Sequence, residues 1–226
     1  MKSEKITTLG KDKEKRRYED ACGLAHAMEL LGERWAMLVL RELGYGARRF
    51  SELKSDLRGI SANVLTQRLT ELEARGLVRK TRLAPPASVQ VYEATDWGLE
   101  VVPLIASLGR WAARSPWHDP MLQMSHVSIV MSLQTLISPT LAEGLDVRIG
   151  FQFGATGYVV TIRDGALGVE RTKVEDCALV FTGSPSEVAA VIHGGAPFDL
   201  IRVEGDMKLA NRFVKLFPLP SKAETS

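Results

Sequence analysis

The sequence predicts an α+β fold made of two successive domains. Through the first half, apolar residues recur at the helical spacing of about 3.6 residues. The stretch RSPWHDP at 114–120 then interrupts that pattern with two prolines. From residue 147 onward, apolar and polar residues alternate, which is typical of strands with one face on a core. We therefore expect domains at 18–114 and 120–220, after a disordered arm of polar and basic residues at 1–17.

The charges differ between these two parts. Residues 1–114 carry 20 basic and 15 acidic side chains, a net charge of +5, whereas residues 115–226 carry 9 and 12, a net charge of −3. Between Gly44 and Arg82 there are nine Lys or Arg and four Asp or Glu. A charge run is usually a solvated surface, but a local basic surplus is also what a protein needs to bind the phosphates of a nucleic acid.

Two short helices are expected at the start of the first domain, separated at Gly32. Each has one apolar face at helical spacing. The apolar residues are Leu24, Met28 and Leu31 in the first helix, and Trp35, Leu38 and Val39 in the second.

The stretch that follows predicts a helix-turn-helix. Gly59 ends one helix, Ser61 is a good N-cap, and residues 62–75 then run without Gly or Pro. The buried face of this second helix is predicted at Leu65, Leu69 and Leu72. The polar residues Asn63, Thr66 and Gln67 lie near the opposite face, and such side chains hydrogen-bond with base edges in the DNA major groove. An ordinary amphipathic surface helix is the alternative.

A basic hairpin is predicted directly after this helix, which Gly76 ends. Two strands, Leu77–Leu83 and Val89–Thr95, are expected on either side of a loop that contains Pro85 and Pro86. The hairpin would form the wing of a winged helix-turn-helix. The residues predicted to contact phosphates are Ser61, Arg68, Arg79, Lys80 and Arg82.

The last helix of the first domain is apolar around more of its circumference than one core contact requires. Thr95 or Asp96 caps it, and Pro103 either falls in its first turns or kinks it. Its apolar residues are Leu99, Val102, Ile105, Leu108 and Trp111. This excess predicts a second subunit as its cover, and burial against the C-terminal domain of the same chain is the alternative.

A series of blocks resembles the HxlR-type winged-helix transcription regulators. The blocks are Cys22, GERW at 32–35, RRFSEL at 48–53, ISANVLTQRLTELEARGLV at 60–78, VYEAT at 91–95, Gly98 and Trp111. The resemblance covers about residues 20–114. It implies a DNA-binding homodimer related to the MarR group, with the terminal helices of the winged domain at the dimer interface. It also makes Cys22 a redox candidate, although Gly23 stands where members often have Pro.

The sequence favours neither an enzyme nor a membrane protein. It contains no GxSxG, phosphate-binding loop or dinucleotide fingerprint, and its four histidines have no metal-site spacing. Cys22 and Cys177 fall in different predicted domains, so a disulfide is not expected. No apolar run reaches the roughly 20 residues of a membrane span, and the N-terminus has no signal-peptide core. We expect a cytoplasmic protein without cofactor or metal.

The second domain is predicted as helix, four strands, helix, strand and helix. The Asp164-Gly165 pair is a strong hairpin signal, and SPSE at 184–187 is a capping box with proline at the first helical position. The predicted elements are a helix at 121–137, strands at 147–153, 158–163, 167–171 and 178–182, a helix ending at Gly194, a strand at 198–203, and a helix capped by Asp206.

This second half resembles the sterol-carrier-protein fold, over roughly residues 120–220. The matching features are the hairpin, SPSEVAAVI at 184–192 and IRVEGDMKLANRFVKLF at 201–217. The resemblance implies a mostly antiparallel sheet with helices on one side that can enclose an apolar pocket. The candidate pocket residues are Phe151, Phe153, Val160, Ile162, Phe181 and Phe213. Ordinary core packing is the alternative for these side chains.

The sequence as a whole predicts a dimeric transcriptional regulator that binds double-stranded DNA and responds to a small apolar ligand. Two further readings of the C-terminal domain stay open. It could bind nothing and mediate dimerisation or partner docking, or the protein could be a lipid or acyl carrier whose winged domain binds proteins. A redox-responsive regulator acting through Cys22 is another alternative.

Overall fold

The computed structural model describes residues 18–84, 88–120 and 122–224. These residues form two hydrophobic cores, one in each half of the sequence. We call residues 18–114 the N-terminal half and residues 122–224 the C-terminal half. The predicted arm at 1–17 and the centre of the predicted hairpin loop, residues 85–87, lie outside the described residues.

The N-terminal half consists of helices and one antiparallel hairpin. Its elements are α1 (Gly23–Leu31), α2 (Ala36–Leu43), α3 (Phe50–Asp56), α4 (Ala62–Ala74), β1 (Val78–Arg82), β2 (Gln90–Ala94), α5 (Asp96–Glu100) and α6 (Val102–Ala112). In the hairpin, Val78 lies opposite Ala94 and Arg82 opposite Gln90. The helix pair α3–α4 followed by this hairpin is a winged helix-turn-helix, as the sequence predicted.

The core of this half lies beneath α4. Leu65, Leu69 and Leu72 are at most 1% exposed and belong to a cluster with residues of α2 and α3. The Ser61 hydroxyl accepts a hydrogen bond from the Val64 N–H at 3.2 Å, which confirms the predicted N-cap. The hydroxyl of Thr95 caps α5 in the same way and also donates to the Gly76 carbonyl at 2.7 Å.

The last helix of this half differs from the single helix that was expected. It is divided at Val101 into α5 and α6, and Pro103 lies in the first turn of α6. A proline inside a continuous helix would lack its hydrogen bond and would clash with the carbonyl four residues earlier, that of Leu99. With Pro103 in the first turn of α6, its missing N–H costs no hydrogen bond, because a first-turn N–H needs no helical partner.

The C-terminal half combines helices with a five-stranded sheet. Its elements are α7 (His126–Leu136), β3 (Val147–Phe153), β4 (Thr156–Arg163), β5 (Ala166–Glu170), β6 (Leu179–Thr182), α8 (Pro185–Gly194), a 3₁₀ turn (Phe198–Leu200), β7 (Arg202–Gly205), α9 (Met207–Phe213) and a second 3₁₀ turn (Val214–Leu216). The strand order is β5-β4-β3-β6-β7. The β3–β6 pair is parallel and the other three pairs are antiparallel, so the sheet is mostly antiparallel as predicted.

Local signals placed most of these elements correctly. Asp164 and Gly165 both have positive φ, 52° and 74°, which is the backbone of the two-residue hairpin turn that their sequence predicted. The capping box at Ser184 and Glu187 is present at the start of α8. The largest differences are at two elements: α7 begins at His126, capped by Ser125, and residues 198–200 form a 3₁₀ turn before β7.

The C-terminal tail packs against the end of α6. The Lys222 ammonium donates to the carbonyls of Ala113, Ser115 and His118 at 2.9–3.2 Å. The Ala223 N–H donates to the Arg114 carbonyl at 2.7 Å. The Lys222 ammonium and the Ala223 N–H thus donate to carbonyl groups near the C-terminal end of α6, where the helix dipole favours a positive charge.

The buried histidine of α8 gives this half a testable dependence on pH. His193 Nε2 lies 2.9 Å from the Ser132 hydroxyl of α7, and burial lowers the pKa of His193 to about 4. An unfolded histidine has a pKa of about 6.5, so below that pH the unfolded chain binds protons more strongly than the folded protein does. This contribution to stability is present above about pH 6.5 and is lost as the pH falls towards 4.

We expect the free energy of unfolding to fall by roughly 3 kcal/mol through His193 between pH 7 and pH 4. Urea unfolding followed by circular dichroism measures it. His193→Gln should flatten the pH dependence by about that amount, whereas substitution of the exposed His118 by Gln should leave it unchanged. A His193→Gln protein with the full wild-type dependence would contradict the assignment.

Candidate nucleic-acid interface

The exposed side of α4 carries the residues that were predicted to contact bases. Asn63, Thr66 and Gln67 are all exposed there, opposite the buried leucine face. The Gln67 amide donates to Glu71 Oε1 at 3.0 Å, which orients it along the helix. Ser61 is exposed at the start of the helix, and its hydroxyl keeps its own proton for donation while it caps. The first two turns of α4 therefore present uncharged hydrogen-bonding groups.

Arg68 is placed differently from its prediction as a phosphate contact. Its side chain is only 6% exposed, its guanidinium bonds with Glu71, and Nη2 lies 3.6 Å from Glu33 Oε2. Its position in α4 borders the buried leucine face, and here the flexible stem turns inward. Reaching a phosphate would break both of these ion pairs. The predicted contact is therefore corrected: Arg68 fixes α4 to the turn between α1 and α2.

The wing presents the other predicted basic residues. Lys80 and Arg82 are exposed on β1 and form no ion pair with the described residues. Arg79 is 60% exposed and its Nε donates to Glu93 Oε1 of β2 at 2.7 Å. An exposed pair of this kind contributes little stability, so Arg79 can exchange Glu93 for another anion at small cost.

Helices α1 and α6 carry apolar side chains that the described chain leaves uncovered. Neither helix contains a fully buried residue. Leu24 is 69% exposed, Leu104 is 66% exposed and Trp111 is 70% exposed, and Met28 and Leu108 are also exposed. Helix α6 does contact α7 of the C-terminal half, where Arg110 Nη1 donates to the Thr135 carbonyl at 2.7 Å, but this contact does not cover Leu104, Leu108 or Trp111. Besides the contact of Arg68 with Glu33, a hydrogen bond connects α1 to α4: Arg75 Nη1 donates to the Leu30 carbonyl at 2.8 Å.

A group of polar side chains joins the helix-turn-helix to the C-terminal half. The Ser125 hydroxyl donates to Glu42 Oε1 at 2.7 Å, and Glu42 is 1% exposed. Arg48, 2% exposed, pairs with Asp56 at the end of α3, and His126 Nδ1 lies 3.7 Å from the same carboxylate. We call this group the interdomain seam; its members are Glu42, Arg48, Asp56, Ser125, His126, Tyr158 and Arg171.

Arg171 connects the seam to the start of α3. Its Nη1 donates to the Ala47 carbonyl at 3.0 Å, and its Nη2 lies 3.4 Å from Glu52 Oε1. Glu52 in turn accepts a hydrogen bond from the Arg49 N–H at 2.7 Å in the first turn of α3. One side chain of the C-terminal half thus holds the first helix of the helix-turn-helix.

Burial keeps the two titratable rings of the seam neutral. Desolvation lowers the pKa of His126, and Arg48 and Arg171 lower it further, against the opposing effect of Asp56. Burial raises the pKa of Tyr158 to about 12. The charges that remain are the guanidinium groups of Arg48 and Arg171, the carboxylates of Glu42 and Asp56, and the adjoining Arg41 and Glu52. Each carboxylate has a guanidinium beside it, so attraction dominates across the seam.

Sequence reasoning missed the seam, although one residue offered a signal. In α2 the buried positions include Val39, Leu40 and Leu43, and Glu42 shares their face. A carboxylate at such a position predicts a buried polar partner. One partner of Glu42 is the adjacent Arg41, whose Nη2 lies 2.7 Å from Glu42 Oε1. The other partner, Ser125, lies 83 residues away, and nothing in the local pattern identifies it.

The six residues predicted to line an apolar pocket pack against one another instead. All are at most 3% exposed and belong to one core cluster. The rings of Phe151 and Phe181 are 5.4 Å apart between centroids, and those of Phe181 and Phe213 are 5.6 Å apart. Such contacts fill the interior. The alternative of ordinary core packing therefore holds for Phe151, Phe153, Val160, Ile162, Phe181 and Phe213.

Other kinds of site are not formed by the described residues. No group of three or more His, Cys, Asp or Glu in the described part of the chain is placed to hold a metal ion. Cys22, exposed at the start of α1, and Cys177, partly buried, are both free thiols. Within the described ranges, no helix combines the length and hydropathy that crossing a bilayer requires.

Comparison with known proteins identifies relatives of the N-terminal half. The family described as HxlR-like helix-turn-helix matches residues 30–119. The uncharacterized HTH-type transcriptional regulator YvaP of Bacillus subtilis is 36% identical over 95 residues, which are 42% of this chain and 85% of YvaP. YkvN, another such regulator of that organism, is 39% identical over 92 residues, 40% of this chain and 77% of YkvN.

Two solved structures are similar to this chain over less than half of its length. The reduced form of the transcriptional regulator YodB from B. subtilis is 28% identical, with a TM-score of 0.39, over 44% of this chain and 100% of that chain. The redox regulator HypR in its oxidized form is 24% identical, with a TM-score of 0.38, over 40% of this chain and 94% of that chain. Residues from 120 onward lie beyond the family match.

The buried ion pairs of Arg68 generate a prediction that separates structure from DNA contact. Arg68→Ala should lower the free energy of unfolding by about 2 kcal/mol because the ion pairs of the buried guanidinium with Glu71 and Glu33 are lost. Thr66→Ala, an exposed change on the same helix, should alter stability by less than about 0.5 kcal/mol. Urea titration of each variant gives the comparison. If the two variants were equally stable and DNA binding by Arg68→Ala were less sensitive to salt, the original assignment of Arg68 as a phosphate contact would be supported instead.

Proposed function

This chain belongs to the HxlR-like helix-turn-helix family and is a transcriptional regulator of that type, and we propose that it acts as a homodimer on a pseudo-palindromic site in double-stranded DNA. The observation that carries the proposal is the exposed, uncharged polar face of α4, placed within a helix-turn-helix and beside a basic wing. An ordinary solvated surface helix, which is the alternative for α4, would not need to lie within a helix-turn-helix or beside a basic wing.

In this proposal α4 enters the major groove with its N-terminal turns leading. Asn63 and Gln67 have amides that can pair with the N6 and N7 atoms of adenine, and Thr66 can bond with several base groups or contact a thymine methyl. The absence of charge on these three side chains suits base readout because a carboxylate there would repel the phosphates. Glu71 lies one turn beyond Gln67, and its bonds with Gln67 and Arg68 draw it along the helix.

Phosphate contacts are assigned to the residues at the edges of this face. Ser61 can donate its hydroxyl proton at the start of α4, where the helix dipole also favours an anion. Lys80 and Arg82 project from the wing without an ion partner among the described residues, and Arg79 is available by exchange with Glu93. Arg68 is excluded because it is buried in its own ion pairs.

A homodimer is proposed from the uncovered apolar surface of α1 and α6. Leucine and tryptophan side chains that are two-thirds exposed on these two helices lose contact with water only when a partner covers them. A two-fold axis there would place two copies of α4 in successive major grooves, about 34 Å apart. The links from Arg68 and Arg75 to the α1–α2 region would hold each α4 relative to that axis.

The assignment of base and phosphate contacts is tested by fluorescence anisotropy with the DNA upstream of the protein's own gene and with scrambled DNA. The wild-type protein should prefer its site by about a thousandfold or more at physiological salt. Gln67→Ala should lose about 1–3 kcal/mol of that preference and bind scrambled DNA unchanged. Lys80→Ala should weaken both interactions alike and reduce the salt dependence by about one phosphate contact.

Arg163→Ala is the matched control because Arg163 is an exposed, ion-paired arginine of the C-terminal half. It should change neither interaction. Equal binding to both DNAs by the wild-type protein, abolished by added salt, would leave only a basic surface and would contradict sequence-specific regulation.

The dimer is tested by placing a charge on the uncovered face. Leu104→Glu should convert the protein to a monomer in sedimentation velocity because a carboxylate would be buried without a partner. The affinity for the operator should also fall, because a monomer binds only one half-site. Leu200→Glu, at an exposed leucine of the C-terminal half, should sediment like the wild-type protein. Monomeric wild-type protein at micromolar concentration, with full site affinity, would rule out the dimer.

A further inference from the structure

A surface cleft of about 460 Å³ opens on the C-terminal half beside the seam. Its volume lies within the range of small-molecule sites. Its polar lining residues are Gln152, Thr156, Arg171, Thr172 and Lys173, and none of the residues that line it is acidic. The cleft therefore offers two cationic groups, two hydroxyls and an amide without a carboxylate.

The cleft is built by a close crossing of the chain over the sheet. Residues 171–174 pass across the start of β4 at Gly157. A Cβ at Gly157 would come within 2.5 Å of the Thr172 carbonyl oxygen and 3.1 Å of Val174, so only glycine allows this approach. The crossing brings Arg171 and Lys173 to the end of the β3–β4 hairpin, where Gln152 and Thr156 lie.

The two cationic residues differ in what else they bind. Lys173 is exposed and forms no ion pair or hydrogen bond with the described residues. Arg171 is 24% exposed, and it is bound to the Ala47 carbonyl and to Glu52 at the start of α3. The distance of 3.4 Å to Glu52 is at the long limit of a hydrogen bond, so this contact is a weak one.

We propose that the cleft binds a small anion through a carboxylate or phosphate group, and that this anion takes Arg171 from Glu52 and thereby weakens operator binding. This inference rests on the proposed function, because the effect of the anion is measured as a change in operator binding. A guanidinium can present a two-pronged donor pair to such an anion, and Lys173 adds a second positive charge. The uncharged donors around them distinguish the site from an apolar pocket.

The effect on DNA follows from the position of Glu52. Arg171 holds the first turn of α3 against the C-terminal half, and α3 supports the recognition helix α4. When the anion occupies Arg171, that contact is lost and α3 is held less firmly. The anion can change operator affinity only by as much as it prefers the released state, so we expect a decrease of about tenfold.

Binding is measured on the full chain by isothermal titration calorimetry, with inorganic phosphate in one arm and succinate in the other. Sodium chloride keeps the ionic strength constant, because ionic strength alone weakens DNA binding. A heat of binding in either arm identifies which group the cleft prefers. The same solutions are then used in the anisotropy titration with operator DNA.

Three variants separate binding from its consequence. Lys173→Gln should reduce anion affinity at least about tenfold and leave operator affinity unchanged without the anion, because Lys173 does not contact α3. Arg171→Gln should bind operator as weakly as the anion-saturated wild type, and added anion should have no further effect. Arg163→Gln, at the opposite end of β4, should behave as the wild type in both measurements.

The outcomes distinguish failure of this inference from failure of the proposed function. No heat with either anion, in a protein that still discriminates its operator, overturns the anion site alone. If both Lys173→Gln and Arg171→Gln still give a heat of binding, the anion binds elsewhere, and the inference is again overturned. If Lys173→Gln weakens operator and scrambled DNA alike without added anion, the cleft contacts DNA instead. Anion binding without operator discrimination would reject the regulator and retain the site.

Discussion

The arrangement of the molecule depends on the buried guanidinium of Arg48. Its backbone forms a two-way bridge with Tyr92 of the wing, both hydrogen bonds being 2.8 Å, and its side chain pairs with Asp56 at the end of α3. Burial disfavours its charge, but Asp56, together with Tyr158 and Glu42, outweighs this effect, so the pKa of Arg48 is raised. This residue therefore joins the wing, the helix-turn-helix and the seam at one point.

A seam of this kind determines orientation more than it adds stability. Desolvating several charges costs about as much as their attraction returns, so the seam is a poor source of net folding energy. Removing one partner, however, would leave the others buried and unpaired, and a sliding of the two halves would do the same. The apolar cores stabilise each half, and the seam selects the relative position in which every charge has a neighbour of opposite sign.

The sequence predicted what is determined locally and failed where distant residues meet. Helix caps at Ser61 and Ser184, the Asp164-Gly165 turn and the change of periodicity near residue 147 each act within a few residues, and the elements they predict are present. The orientation of Arg68 was not predictable from its position at the border of the buried face. Alternation showed that Phe151 and Phe181 point inward, but it could not show that other rings fill the space between them. The seam and the cleft arise from pairs such as Ala47 with Arg171, separated by 124 residues.

The attachment of Lys222 to the end of α6 also has a consequence for the order of events during synthesis. The three carbonyls that it binds belong to residues 113–118, whereas Lys222 follows every helix and strand described here. While the ribosome is still translating the sheet, the carbonyls of Ala113, Ser115 and His118 lack the lysine as a donor, and the end of α6 is free to fray. The C-terminal end of the helix that carries the uncovered leucine and tryptophan side chains thus receives its last donors only after the whole C-terminal half has been made.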